Sequence, residues 1–367
     1  MMYSNDEIAL IFLSQFDFIT SKKFADICSY FESPEEILTC SDDEFFLLRD
    51  ILKNNYKKVN EKRKQFNKEE FFQKLNKRGI FCLTLFSENY PEKLKKLEHP
   101  PYVLFCVGNI KLLNKKALAV VGARNPSVYG KLVTEKFVKE VAKNDIVIVS
   151  GLATGIDKFS HESALEVNGG TIAVMGGGFD HIFPAMNINL AREIAKKGLI
   201  VTEYYVDFAP TKYTFPVRNR IIAGLSDAIL IPEARKDSGS LYTMEYGLEI
   251  GVDTMCVPGN INSELSYSTN DLIKKGTAQC VTTPEDVLMH FGITKNSKIK
   301  KEKKLEQYSM EESLIINCLK DGSKSVDYLQ EKTGYSIQTL NISLTSLEIR
   351  GIIKRLAGNE YILCEII

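Results

Sequence analysis

Short apolar runs alternate with longer helical patterns through the middle of the 367-residue chain. Strands that alternate with helices form right-handed βαβ units, which build a parallel sheet covered by helices on both faces. The runs are continuously apolar, as is typical of strands buried on both faces. The sequence therefore predicts a Rossmann-like, doubly wound, mostly parallel α/β sheet. Its predicted strands are Leu118–Val121, Ile146–Val149, Thr171–Met175, Leu199–Thr202, Ala228–Ile231 and Met255–Val257.

The composition changes along the chain and predicts three domains and a linker. Residues 1–78 hold apolar residues at helical spacing and no glycine, which predicts a small helical domain. The Rossmann-like domain is expected over 79–292. Lysine dominates the stretch 293–308, which predicts a solvated linker. Three segments with apolar residues at helical spacing and a pair of strands over 309–367 predict a winged helix. Its third helix turns polar, uncharged residues outward, so it could bind a DNA groove or contact another protein.

The overall composition excludes several classes of protein. Lys and Arg total 47 and so do Asp and Glu, so any site for a polyanion must be a local patch. The apolar runs are far shorter than the roughly 20 residues that span a bilayer, and the first residues lack the basic region of a signal peptide. The eight cysteines are scattered singly, without zinc-ligand spacing, which suits a reducing compartment. We expect a cytoplasmic protein.

Glycine-rich loops follow several of the predicted strands. In an open parallel sheet, ligands bind beyond the carboxyl ends of the strands, and glycine loops there expose backbone N–H groups beside helix N-termini, which favour anions. Several such loops along one edge suit a row of phosphates, although any one of them could simply form a tight turn. The candidate residues are Gly122, Arg124, Gly151, Thr154, Gly155, Gly177, Ser238, Gly239 and Ser240.

The segment 212–226 has the densest group of candidate residues. Basic side chains beside an aromatic ring are typical of a single-strand nucleic-acid site, where cations hold phosphates and the ring stacks an unpaired base. Two alternatives stay open. Phe215 could be a core residue, and Arg218 or Arg220 could pair with a carboxylate such as Glu203 or Glu233. The candidate residues here are Lys212, Phe215, Arg218, Asn219 and Arg220.

Two nucleotide-binding motifs are excluded by their spacing. Seven residues separate Gly122 from Gly130, where a P-loop requires four, and Leu132 replaces its Ser or Thr. The glycines of Gly176–Gly178 are not followed by a glycine at the last position of the dinucleotide fingerprint G-x-G-x-x-G, where this chain has His181. No carboxylate or nucleophile motif accompanies His161 as a general base would require, so His161 is interpreted as a capping or packing residue. We predict no cofactor and no metal.

Five motifs then occur in order: VGARNPSVYG, VSGLATGID, FPVRNRIIAGLS, SGSL and VPGN. Together they resemble the DprA/Smf (DNA-processing protein A) family over about Tyr90 to Asp286. The resemblance implies a non-catalytic protein that binds incoming single-stranded DNA during natural transformation, protects it and loads a RecA-type recombinase. It also implies a SAM-like helical domain at the N-terminus and a homodimer through the Rossmann domain.

The resemblance also assigns roles by position. Arg124 and Lys212 match the family's phosphate-binding cations, and Phe215 matches its base-stacking ring. Arg218, Asn219 and Arg220 fall on the family's R-N-R sequence, which implies that they line the same pocket.

An enzyme that hydrolyses a nucleotide or nucleotide sugar is the alternative function. Related phosphoribohydrolase-like proteins carry G-G-x-G-T-x-x-E, whereas this chain has SGSLYTME at 238–245. The paired glycines are missing, and Glu245 is one residue too close to Thr243, which turns the carboxylate by about 100° on a helix. The sequence therefore favours binding of single-stranded DNA, with RNA as the weaker option, over hydrolysis.

Overall fold

The computed structural model describes residues 3–294, 308–350, 352–356 and 358–364, and it divides the chain into two compact units. The first unit is Met1–Thr294 and the second is Lys295–Ile367. Residues 295–307, which make up most of the predicted linker, lie outside the described part of the chain. The two units have separate apolar cores, so each is a packed structure in its own right.

Within the described residues of the first unit, nine strands form a single sheet. They are β1 Phe81–Thr84, β2 Val103–Gly108, β3 Ala117–Val120, β4 Val147–Ser150, β5 Thr171–Val174, β6 Leu199–Thr202, β7 Ala228–Ile231, β8 Asp253–Cys256 and β9 Gln279–Cys280. Their order is β1-β2-β6-β5-β4-β3-β7-β8-β9. Each neighbouring pair in the series β6-β5-β4-β3-β7-β8-β9 is parallel, whereas β2 pairs antiparallel with β1 and β6. The predicted mostly parallel sheet is confirmed; β1, β2 and β9 were not predicted.

The N-terminal helices pack on the antiparallel edge of this sheet. Their core includes Phe12 and Phe45 together with Phe105 of β2. The ring of Phe24 stacks on that of Tyr102 with centroids 4.4 Å apart. The helical segment thus shares one core with the sheet, and the boundary predicted after residue 78 stays a prediction. The helices are α1 Asn5–Leu13, α2 Ser21–Cys28, α3 Glu36–Thr39, α4 Asp42–Phe46, α5 Arg49–Leu52, α6 Tyr56–Lys64 and α7 Lys68–Lys77.

The remaining helices of the first unit cover both faces of the sheet. Alternate strand residues point to opposite faces, so Leu118 of β3 packs with Phe137 and Val141, whereas Ala119 packs with Ile222. One face carries α8, α9, α10 and α14, and the other carries α11, α12 and α13. These helices are α8 Val128–Ala142, α9 Ile156–Glu166, α10 Ile188–Lys197, α11 Thr214–Gly224, α12 Ser240–Glu249, α13 Tyr267–Lys274 and α14 Pro284–His290.

The second unit is a winged helix, as predicted. Leu319, Leu344 and Tyr361 are part of its apolar core. Its strands form an antiparallel sheet in the order β10-β12-β11, so the predicted strand pair gains a third member. No helix in the described residues of either unit is both long enough and apolar enough to cross a bilayer. The elements are α15 Met310–Leu319, β10 Lys324–Ser325, α16 Val326–Thr333, α17 Ile337–Ile349, β11 Ile353–Arg355 and β12 Glu360–Leu363.

Candidate functional site

A cleft of about 810 Å³ opens at the carboxyl ends of the parallel strands. The chain winds from β3 through β4 and β5 to β6, and then returns to the other side of β3 with β7. This reversal separates the loops after β3 and β7, which is where doubly wound sheets hold ligands. The cleft is lined by the loops after β3, β4, β5 and β7, by residues 210–212, by one side of α11, and by the first turns of α9 and α12.

The structure brings most of the predicted site residues together and leaves others out. The cleft lining includes Gly122, Arg124, Lys212, Phe215, Arg218, Asn219, Ser238, Gly239 and Ser240. It does not include Gly151, Thr154, Gly155, Gly177 or Arg220.

Two predicted cations in the lining are exposed and available to a ligand. Arg124 follows β3, and Lys212 precedes α11. Within the described part of the chain, neither side chain forms an ion pair or a hydrogen bond, although the Lys212 Nζ lies 5.0 Å from the ring centroid of Tyr213. A solvated cation without a protein partner can bind a phosphate without first losing an internal contact. These two residues therefore supply positive charge to the cleft from two different loops.

Two further exposed cations, Arg235 and Lys236, line the cleft from the loop after β7. The sequence pattern did not mark them, because neither residue belongs to the glycine-containing segment Ser238–Ser240 that predicted an anion site in this loop. Their position in the loop that follows β7, close to that segment, was the signal that would have found them. The cleft therefore has cations on the loops flanking the switch point.

Arg218 lies beneath the cleft and binds the main chain. Its Nη1 donates to the carbonyl oxygen of Gly151 at 2.7 Å and to that of Val174. The neighbouring Asp157 carboxylate accepts from the backbone N–H of Gly151 at 3.0 Å. Burial lowers the pKa of Arg218 to about 10, so it stays protonated at neutral pH. Burial raises the pKa of Asp157, and the charge of Arg218 opposes that shift. This cation ties α11 to the ends of β4 and β5.

Arg220 is paired inside the protein. Its Nη2 donates to the Oε2 of Glu203, and both residues are largely shielded from solvent. Burial raises the pKa of Glu203, while Arg220 lowers it. This is the carboxylate pairing that the sequence had left open, and it places the guanidinium outside the cleft lining.

Two phenylalanine rings meet in the cleft. Phe215 is half-buried, and a Cβ at Gly176 would lie only 2.9 Å from its Cδ1, so a glycine lets the ring lie against the loop after β5. Phe183 is 57% exposed, and its ring centroid lies 5.4 Å from that of Phe215. Sequence analysis missed Phe183, which lies in the same loop as the predicted Gly177. No charge pattern surrounds it that would have marked it.

The glycines of the predicted loops divide into two kinds. Gly155 has a φ of +75°, and a side chain there would collide with the carbonyl oxygens of Ala123 and Arg124. It joins the loops after β3 and β4 and does not line the cleft. Gly239 is different, because a Cβ there would meet open space, and its carbonyl oxygen accepts from the Nδ2 of Asn219 at 3.0 Å.

The candidates for catalysis are either inaccessible or misplaced. His161 is completely buried, and its Nδ1 is hydrogen-bonded to the Oγ1 of Thr171 at 2.7 Å. Burial lowers its pKa to about 3, so the ring is neutral at neutral pH, in agreement with its interpretation as a packing residue. Glu245 is exposed and lies outside the cleft lining.

The fold and the site define a class: a Rossmann-like protein with a basic, glycine-lined cleft at the switch point of its sheet, joined to a winged helix. The sequence of residues 81–292 matches the family model for DNA recombination-mediator protein A, and residues 300–359 match that for the DprA winged helix domain. The chain therefore belongs to the DprA/Smf family, as its motifs predicted, and is a DNA-processing protein.

Individual relatives agree with this assignment. The DNA processing protein DprA of Bacillus subtilis is 39% identical over 227 residues, which cover 60% of this chain and 76% of the relative. The structure of DprA from Streptococcus pneumoniae superposes with a TM-score of 0.65 at 34% identity, over 79% of this chain and 98% of that one. A structure that describes the single-stranded DNA binding mode of DNA processing protein A from Helicobacter pylori superposes with a TM-score of 0.53 at 36% identity. The match covers 58% of this chain and 95% of that one.

The two kinds of glycine predict opposite results of adding a methyl group. We expect Gly155→Ala to lower the free energy of unfolding by roughly 2 kcal/mol or more, because it combines a positive φ with a backbone collision. Gly239→Ala is the matched control and should change it by less than about 1 kcal/mol, because the helix cap alone is affected. Urea denaturation of both variants measures the difference. Equal losses would contradict the packing role of Gly155.

Proposed function

We propose that the chain binds single-stranded DNA in the cleft, without sequence preference, and holds the strand without breaking bonds in it. The observation that carries this proposal is that one cleft combines aromatic rings with exposed cations that form no ion pair with any described residue. Cations that track a backbone and rings that stack on bases are the two parts of a sequence-tolerant single-strand site.

The strand would lie across the loops at the carboxyl edge of the sheet. Arg124 and Lys212 would hold phosphates, with Arg235 and Lys236 extending the path along the loop after β7. The open space beside Gly239 lets a phosphate approach the backbone at the start of α12. Phe215 contributes an aromatic surface for an unpaired base. Arg218 would act from below, because its charge is buried and its donors are bound to main-chain carbonyls.

Family membership adds support from a relative. The Helicobacter pylori protein, which shares 36% of its residues with this chain over the compared region, has a described single-stranded DNA binding mode. Hydrolysis of a nucleotide is the competing function. It has less support, because Glu245 lies outside the cleft lining and His161 is enclosed and neutral.

Reversing one charge in the cleft tests this proposal. We expect Lys212→Glu to weaken binding of a labelled oligothymidylate at least about tenfold at low salt. With three to four phosphates neutralised, a plot of the logarithm of the binding constant against the logarithm of salt concentration should have a slope of about −2 to −3. The variant loses one phosphate contact, so its slope should be less steep by about 0.7. Filter binding across a salt series measures both quantities.

Lys57→Glu is the control, because Lys57 is exposed on α6 and lies outside the cleft lining. This substitution changes the net charge by the same amount as Lys212→Glu. It should bind as the unaltered chain does. Competition with duplex DNA, with single-stranded RNA and with free nucleotides completes the experiment. Binding without a salt slope, preference for duplex, or turnover of a nucleotide would each refute the proposal.

We also propose that the bound strand is protected and passed to a RecA-type recombinase during natural transformation; family membership supports this step. The test adds a RecA-type recombinase to single-stranded DNA and follows its ATP hydrolysis, which reports assembly on the strand. We expect this protein to shorten the lag before ATP hydrolysis, and Lys212→Glu to leave the lag unchanged. An unaltered lag at saturating unmutated protein would refute recombinase loading and leave strand binding intact.

A homodimer through the Rossmann domain is proposed on the same grounds. Two clefts in one assembly would bind a long strand more tightly than a short one, since the second contact becomes intramolecular. Light scattering should give twice the mass of the chain, and affinity should rise sharply once the oligonucleotide is long enough to reach both clefts. A monomeric mass at micromolar concentration would contradict this arrangement.

A further inference from the structure

The two rings in the cleft differ in what they offer to a ligand. Phe215 is half-buried against the loop that contains Gly176. Phe183 is 57% exposed, and it is the more accessible ring of the pair. The motif resemblance assigns base stacking to Phe215 and is silent on Phe183, so the accessible ring has no role in the function described so far.

The distance between the rings decides how a base can reach them. A base held between two rings makes two contacts of about 3.5 Å each, so it needs nearly parallel rings whose centroids lie about 7 Å apart. The centroids of Phe183 and Phe215 are 5.4 Å apart, and the ring planes are inclined by 43°. A base therefore cannot enter between them. The rings support one another, and the outer face of Phe183 is a second aromatic surface, beside that of Phe215, on which a base can stack.

The loop that carries Phe183 is fixed on both sides of the ring. On one side, the backbone N–H of Asp180 donates to the carbonyl oxygen of Val206 at 2.8 Å, and its carboxylate pairs with Arg78. On the other side, the buried Asn187 donates from Nδ2 to the carbonyl oxygens of Leu152 at 2.8 Å and Ala153 at 3.1 Å. A ring on an anchored loop loses little conformational freedom on binding, which favours affinity.

We propose that Phe183 is a second base-contacting residue, on whose exposed face an unpaired base of the bound strand stacks. This proposal rests on the proposed function and extends it. Phe183 lines the same cleft as Lys212 and Arg124, so a strand whose phosphates meet those cations passes the ring. Stacking on a phenyl face tolerates every base and needs the base to be unpaired, so the ring selects single strands over duplex.

The test compares Phe183→Ala with the unaltered protein on two strands of equal length, oligothymidylate and an abasic strand. Losing one stacked base should weaken binding of oligothymidylate about tenfold. The salt slope should stay unchanged, because no phosphate contact is removed. On the abasic strand the two proteins should bind equally. Phe183→Trp should restore the affinity for oligothymidylate, since it keeps an aromatic face.

Phe86→Ala is the matched control, because Phe86 is 56% exposed and lies outside the cleft lining. It should leave both affinities unchanged. If Phe183→Ala bound oligothymidylate as tightly as the unaltered protein, the proposal would be overturned, while the effect of Lys212→Glu would still decide the proposed function. Equal losses on the two strands would also overturn it, because the ring would then act through the loop and not through a base.

Discussion

A single buried arginine holds the candidate site together. Arg218 reaches from α11 to the carbonyl oxygens that end β4 and β5, beside a buried aspartate whose pKa is raised by burial. A buried cation is stable only where donors and countercharge are satisfied, so this contact fixes where α11 begins relative to the sheet. Phe215 lies one turn before Arg218, and Lys212 lies just ahead of the helix. The positions of both depend on that anchor.

The distribution of the cations in the cleft explains how a chain without net charge can present the proposed site for a polyanion. The chain has 47 basic and 47 acidic residues, yet the described cleft lining has five cations and two carboxylates. One of those cations, Arg218, is buried beside Asp157 and donates to main-chain carbonyl oxygens. The exposed ones lie on loops at the sheet edge, where the field is local and acts within about a Debye length, 8 Å at physiological salt.

Much of the fold could be predicted because burial on both faces leaves a strong pattern: β3 to β7 are largely apolar runs followed by loop residues, and β8 ends in buried apolar residues. The antiparallel strands β1 and β2 lack that βα rhythm, and β9 is only two residues long, so none of the three was predicted. In the site, Arg124 and Lys212 were found from the motif resemblance, with loop position in support. Arg220 and Phe183 show the limit of this reasoning. Pairing with Glu203 and proximity to Phe215 arise from contacts across 17 and 32 positions of sequence, and no local pattern records them.

The central claim is that the loop edge grips a flexible polyanion and leaves its bonds intact. The most direct measurement is a crystal structure of the protein with bound oligothymidylate. The account predicts an intact strand in the cleft, with phosphate oxygens within about 3 Å of the side-chain nitrogens of Arg124 and Lys212. A strand bound on another surface with the cleft empty, or a cleaved strand in the cleft, would contradict it.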